Sequence, residues 1–179
     1  MYIGKLRIKN YKSFLDSGDI YLGEDIFALI GQNNTGKSAI LDSIQVFFPN
    51  SKKSITTEDF HKRTDEDIEI ELWFDNVDEF YLETNVYKEK INKQNDKIND
   101  AKDLYEKEGT GANNKKVEKE IEKLKEIKGK ELNAAVEKYG IEYEELYVKM
   151  VAKKGNRITP KYYNKNDEEI KSIDLKKII

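Results

Sequence analysis

Residues Gly31-Gln32-Asn33-Asn34-Thr35-Gly36-Lys37-Ser38 fit the pattern GxxxxGK[ST], and no other stretch of the chain restricts its fold as tightly. A loop of this kind works only between a strand and the helix that it opens. Upstream, Ile26-Phe27-Ala28-Leu29-Ile30 is short, uninterrupted and apolar, which predicts a central strand covered on both faces. Downstream, Ile40, Leu41, Ile44, Phe47 and Phe48 recur at helical spacing, so an amphipathic helix is expected after the loop. With glycine at roughly 7% of residues, three fixed positions and one two-way choice match a chain of this size by chance less than about once in a hundred.

The chemistry expected of the loop comes mainly from its backbone. Gly31 and Gly36 lack a Cβ, so the chain can turn sharply and close its N–H groups around phosphate oxygens, while the helix N-terminus adds positive potential. Asn33 and Asn34 suit such a nest because asparagine enters left-handed conformations readily. Thr35 lies in the same loop. Lys37 supplies a point charge for the β- and γ-phosphates, and the Ser38 hydroxyl a ligand for Mg²⁺. A bound nucleotide with Mg²⁺ is the cofactor this pattern predicts.

Composition bounds the remainder. In 179 residues the apolar and charged fractions are both 37%, so part of the chain must project into water. A formal net charge of −3 gives no global basic field, and any nucleic-acid contact needs a local patch or another domain. The absence of cysteine excludes disulfides and thiolate metal sites, as suits a reducing compartment. No apolar run approaches the ~20 residues of a membrane span and no signal peptide is recognisable, so a cytoplasmic protein with no membrane partner is expected.

The texture changes twice along the chain. Residues 1–80 read as the first part of an α/β P-loop core: Leu6 and Ile8 alternate with Arg7 and Lys9, Asp16-Ser17-Gly18 marks a turn, and Ile20 and Leu22 a second strand. Gly23-Glu24-Asp25 turns the chain into the buried strand. Ile68, Ile70, Leu72 and Phe74 alternate with Glu69, Glu71 and Trp73, predicting a strand with one packed and one exposed face.

Residues 81–140 read as a charged helical hairpin. One arm carries Tyr87, Ile91, Ile98, Ala101 and Tyr105, the other Val117, Ile121, Leu124, Leu132, Ala135 and Val136, with a break over Glu108 to Asn114. Glu89 with Lys93, Asp103 with Lys107 and Glu126 with Lys130 are i,i+4 pairs that support exposed helices. The alternative is a disordered charged linker, since Gly129 disfavours the second arm. Residues 141–179 return to strand texture: Tyr147 to Ala152 and Arg157 to Tyr163 flank a Lys154-Gly155-Asn156 hairpin signal. The last apolar stretch, Ile170 to Ile179, has no cap or polar tail, as though the fold continued.

The opening Leu6-Arg7-Ile8-Lys9-Asn10-Tyr11-Lys12-Ser13-Phe14, the loop, and the following Ile40-Leu41-Asp42-Ser43-Ile44 resemble the N-terminal lobe of the SMC, RecF and OLD group of ABC-type ATPases. Within that group the likeness is to the OLD-family ATP-dependent nucleases, and Thr57-Glu58-Asp59-Phe60-His61-Lys62-Arg63 is similar to what they place after the first helix. The resemblance is most specific over residues 1–75. It implies a partial ABC-type lobe with a mixed sheet and an inserted helical hairpin, ATP and Mg²⁺ as cofactors, and a homodimer or higher oligomer through the lobe. It also implies contact with DNA through further domains, among them a Toprim nuclease, and a role in phage defence or DNA processing. An SMC-like or RecF-like repair ATPase, or a non-catalytic adaptor whose hairpin recruits a partner, are the alternatives.

Departures from the family pattern shape the rest. The residues contain no apolar run ending in acidic residues to serve as Walker B, no LSGG-type signature and no assignable Toprim cluster, so no catalytic residue is assigned. Hydrolysis in this group occurs between two protomers, so weak nucleotide binding and negligible turnover are expected of these residues alone. The resemblance places Lys12 near the bound phosphates; by sequence alone it equally suits a solvated lysine at a strand end. His61, the only histidine, either polarises a group near the nucleotide or is an exposed loop residue. Glu58, Asp59, Asp65, Glu66 and Asp67 read as a solvated acidic loop rather than a metal site.

Overall fold

A computed structural model describes residues 1–23, 28–32, 36–62, 65–109 and 111–179. Two compact units emerge, one formed by Met1–Val77 with Tyr139–Ile179 and the other by Asp78–Lys138. In chain order the first contains β1 (Tyr2–Tyr11), β2 (Phe14–Asp16), β3 (Ile20–Tyr21), α1 (Lys37–Phe47) and β4 (Ile68–Asp75). The second holds α2 (Glu79–Asn85), α3 (Lys88–Glu108) and nearly all of α4 (Gly111–Tyr139). The chain then re-enters the first unit as β5 (Leu146–Ala152), β6 (Lys161–Tyr163), β7 (Glu169–Ile170) and α5 (Ser172–Ile178).

The strands form one sheet in the order β2-β1-β4-β5-β6-β7, with β3 also on β1. Side chains alternate between its faces, and register decides which ones meet. Ile8, Ile70, Met150, Tyr162 and Ile170 fall in one row across five strands, next to the row Leu6, Leu72 and Val148. All are buried. α1 covers this face with Ala39, Ile40, Val46 and Phe47. The Phe47 ring meets Tyr162 edge-on at 5.7 Å and lies 6.3 Å from Phe74, while the Tyr162 hydroxyl donates to the Phe47 carbonyl at 2.8 Å. Each fully buried side chain of this size contributes about 1.5–3 kcal/mol, so the aromatic contact is what presses α1 to the sheet.

The opposite face is polar yet not open. Lys9 bridges Glu69 at 3.0 Å and Glu71 at 3.1 Å, and the Tyr147 hydroxyl donates to Glu71 at 2.8 Å. The Lys5 ammonium lies 3.7 Å from the Trp73 ring centre, and Trp73 meets Tyr147 at 4.9 Å. The expectation of an exposed second face on β4 is therefore corrected: Glu71 retains 9% exposure, because long cross-strand side chains lie over it.

Three further expectations change. Ala28 to Ile30 form no strand and Ile30 is 93% exposed, while Ile26 and Phe27 lie outside the described residues. Every described strand pairing is antiparallel, so in place of a mixed sheet there is none of the parallel pairing that a doubly covered strand here requires. The hairpin joining β5 to β6 turns over residues 153–160, longer than its Lys154-Gly155-Asn156 signal, and the last apolar stretch becomes β7 and α5.

In the second unit α3 and α4 run antiparallel, as contacts from Gln94 to Glu120 and Lys90 to Glu131 require. The break is shorter than predicted: Gly109 caps α3 in a left-handed conformation and α4 begins at Gly111, so Asn113 and Asn114 are already helical. Gly129 is absorbed inside α4. Ile98, Ala101 and Val117 are buried, but Tyr105, Ile121 and Val136 are exposed. Buried Gln94 takes a place in the seam, its Nε2 donating to the Glu120 carbonyl and carboxylate, each at 2.9 Å. No helix among the described residues is long and apolar enough to cross a membrane.

Phe47→Ala is expected to cost about 3–5 kcal/mol by cavity formation, read as a lower urea midpoint, whereas Leu41→Ala, at a position 57% exposed, stays within about 0.5 kcal/mol.

Candidate functional site

β1 ends in a distortion that aims its last residues. Asn10 and Lys12 both take left-handed backbone conformations, with φ of 55° and 49°, unusual outside glycine and stable only where the surroundings hold them. The segment around the 3-10 turn Thr57–Asp59 supplies that hold. Lys12 N donates to the Asp59 carbonyl at 2.7 Å and His61 N to the Asn10 carbonyl at 2.9 Å. His61 Nδ1 lies 2.8 Å from the Lys12 carbonyl, and since a carbonyl only accepts, Nδ1 carries the proton. His61 thus fastens the backbone of Lys12, a role neither sequence expectation anticipated.

Held this way, Lys12 and Ser13 line a cavity of about 270 Å³ together with Gly36, Lys37, Ser38, Ala39 and Asp42. Gly36 caps α1 at φ 89°, a conformation that costs a residue with a Cβ. A Cβ there would also lie 2.7 Å from the Phe14 ring. The amides of Lys37, Ser38 and Ala39 precede the first intrahelical bond, from Ile40 N to the Gly36 carbonyl at 3.0 Å, and no acidic residue occupies this turn. Three lining residues therefore place the positive end of the helix at the cavity, the arrangement that receives anions.

Lys37 donates to the carbonyls of Gly31, at 2.6 Å, and Gln32. These carbonyl oxygens stand where an anionic oxygen would compete for the same ammonium. Gly36, Lys37, Ser38 and Lys12 are thus brought together, with Gly31 joined through Lys37, while Asn33, Asn34 and Thr35 lie outside the described residues. The Ser38 hydroxyl is a hard oxygen on the cavity wall, and one such ligand suits Mg²⁺, which completes its shell with water and phosphate oxygens.

Sequence reasoning gave no role to Asp42, which accepts from Lys12 on one carboxylate oxygen and from Lys53 on the other. Its signal was available: the lone carboxylate of the helix, one turn beyond Ser38. Hydrogen bonds from Lys12 and then Lys53 hold its carboxyl below the ordinary carboxylate range. Burial lowers the Lys12 ammonium more than any one contact raises it, yet the bond to Asp42 together with the charges of Tyr11, Asp42 and Asp59 carries the net shift upward. Asp59 adds a second carboxylate 3.6 Å from Lys12, fixed by the Thr56 amide at 2.8 Å and hydroxyl at 3.0 Å. The remaining acidic stretch is dispersed: Asp65 pairs with Lys154 and Glu66 accepts from Asn10. No group of metal-ligating side chains forms among the described residues.

Compared with known proteins, residues 1–179 match the family model described as AAA ATPase domain. A relative described as DNA double-strand break repair Rad50 ATPase, from Thermoplasma volcanium, is 40% identical over 74 residues. That match spans 41% of this chain and only 8% of the relative.

Gly36→Ala is expected to cost about 1–3 kcal/mol from its positive φ, since Phe14 can rotate away but the backbone cannot; thermal denaturation reads it. Asp42 stabilises the fold fully above its unfolded pKa near 3.8 and loses that contribution as pH falls through its lower folded value. Asp42→Asn should accordingly flatten the acid limb of the urea midpoint below pH 3.8.

Proposed function

This chain belongs to the AAA ATPase domain family, and we propose that it is the ATP-binding first part of an OLD-like ATPase and nuclease acting on DNA. The observation that carries nucleotide binding is the convergence of Lys12, Lys37, Ser38 and the acid-free first turn of α1 on one cavity. Phosphates would meet the helix amides, Lys37 would exchange loop carbonyls for phosphate oxygens, and Ser38 would hold Mg²⁺. Bound Mg²⁺ supplies charge neutralisation at the phosphates.

Turnover needs more than these residues. Asp42 is the one carboxylate among the described residues lining the cavity, and two lysines already engage it, so it is not available to activate water. Dimerisation through the lobe supplies the missing groups in this proposal, and DNA is met by further domains. The OLD reading rests on the resemblance of residues 1–75, with a role in phage defence as its extension. The Rad50 relative, whose description names double-strand break repair, favours a second reading as an SMC-like or RecF-like repair ATPase.

Titration with Mg·ATP should show weak, saturable binding that Lys37→Ala reduces by about tenfold or more, the worth of one charge-assisted contact. Unchanged affinity in that variant would remove the phosphate site from this cavity, and ATP hydrolysis by the chain alone that Lys37→Ala abolishes would overturn the need for a second protomer. Mg²⁺-dependent DNA cleavage by the whole protein separates the OLD reading from the repair reading.

A further inference from the structure

We propose that Asp42 is a positioning residue for the nucleotide phosphates, presenting Lys12 to the cavity through one carboxylate oxygen while Lys53 neutralises it through the other. The inference rests on the nucleotide-binding reading above. A carboxylate on the wall of a phosphate cavity demands explanation, because it repels the ligand. Asp42 lines the cavity beside Lys12 and Ser38, on the same face of α1 as Ser38 and one turn further along.

The charges around it balance. Lys12 faces two carboxylates, Asp42 and Asp59, and Lys53 is the second cation on Asp42. These two lysines and two aspartates are neutral together. Without Lys53 the same four positions carry an excess negative charge against the wall that must accept phosphate. Lys53 is not among the cavity-lining residues; it reaches Asp42 from the segment after α1, where its own amide donates to the Ser51 hydroxyl at 3.1 Å. Asp42 is 23% exposed, so the surrounding solvent screens its charge incompletely.

This arrangement lets Lys12 change partners. A phosphate oxygen that draws Lys12 away leaves Asp42 still paired with Lys53, and no partly buried carboxylate is stranded. The transfer should matter most for the ligand carrying the most charge. Triphosphate is therefore expected to depend on Lys53 more than diphosphate does.

The test is a four-way comparison of the chain, Lys53→Met, Asp42→Asn and the double variant, each titrated with Mg·ATP and Mg·ADP, with a denaturation midpoint recorded for each. Lys53→Met should weaken Mg·ATP by about tenfold, and Mg·ADP less, as expected of coupled charges in contact. Asp42→Asn alone should weaken Mg·ATP by about threefold, since Lys12 loses its guide, and the double variant should match it rather than Lys53→Met, because no uncompensated charge remains. Lys53→Arg should keep parental affinity, and it replaces Lys53→Met as the informative variant, against Lys53→Gln, if methionine lowers the midpoint. Parental affinity in both Lys53→Met and Lys53→Gln, or a double variant as weak as Lys53→Met, overturns the proposal. Loss of binding in Lys37→Ala beside unresponsive Lys53 variants sinks this inference alone, whereas a parent chain that binds no Mg·ATP sinks the nucleotide reading with it.

Discussion

The anchoring of α1 on the sheet through Phe47 is the contact on which the site depends. Phe47 lies at the C-terminal end of the helix, between Phe74 of β4 and Tyr162 of β6. The cavity lies at the other end. A packed aromatic anchor fixes a helix with little freedom to slide, because interiors are dense and displaced side chains find no alternative well. The N-terminal turn of α1 is therefore delivered to a set place beside the end of β1, where Lys12 and Ser13 line the same cavity.

That wall is as much a matter of backbone as of side chains. Lys12 reaches the cavity because Asn10 and Lys12 adopt left-handed conformations and because Asp59 and His61 hold the strand end in place. Such local strain is tolerated where several hydrogen bonds compensate it. The histidine and the acidic segment thus contribute to the proposed phosphate site by holding its lysine. Asp42 extends the same logic to charge: two lysines share one carboxylate, which under the proposal keeps the cluster balanced when Lys12 turns to a phosphate.

Much of the sheet was legible from the residues. Alternation in Ile68 to Phe74 and in Tyr147 to Ala152 marks β4 and β5, and the glycine–lysine–serine sequence marks the start of α1, since these are local patterns of period two and of helix opening. The second face of β4 was misread because Glu and Lys at alternate positions look solvated, while register sets Lys9 against Glu69 and Glu71. In the helical unit, Gln94 has the composition of a surface residue, yet the Glu120 backbone opposite it makes a buried amide affordable. Ala28 to Ile30 misled for the converse reason: an apolar run reports a preference for burial, not the presence of a partner strand.

The sequence by itself determined that a helix opens at Gly36-Lys37-Ser38, because a left-handed glycine followed by an ammonium and a hydroxyl at fixed spacing is a local pattern. Only the tertiary structure decided what faces them. Lys12, Asp42, Lys53, Asp59 and His61 come from separate segments, and their roles arise from hydrogen bonds across the fold, which no spacing along the chain encodes.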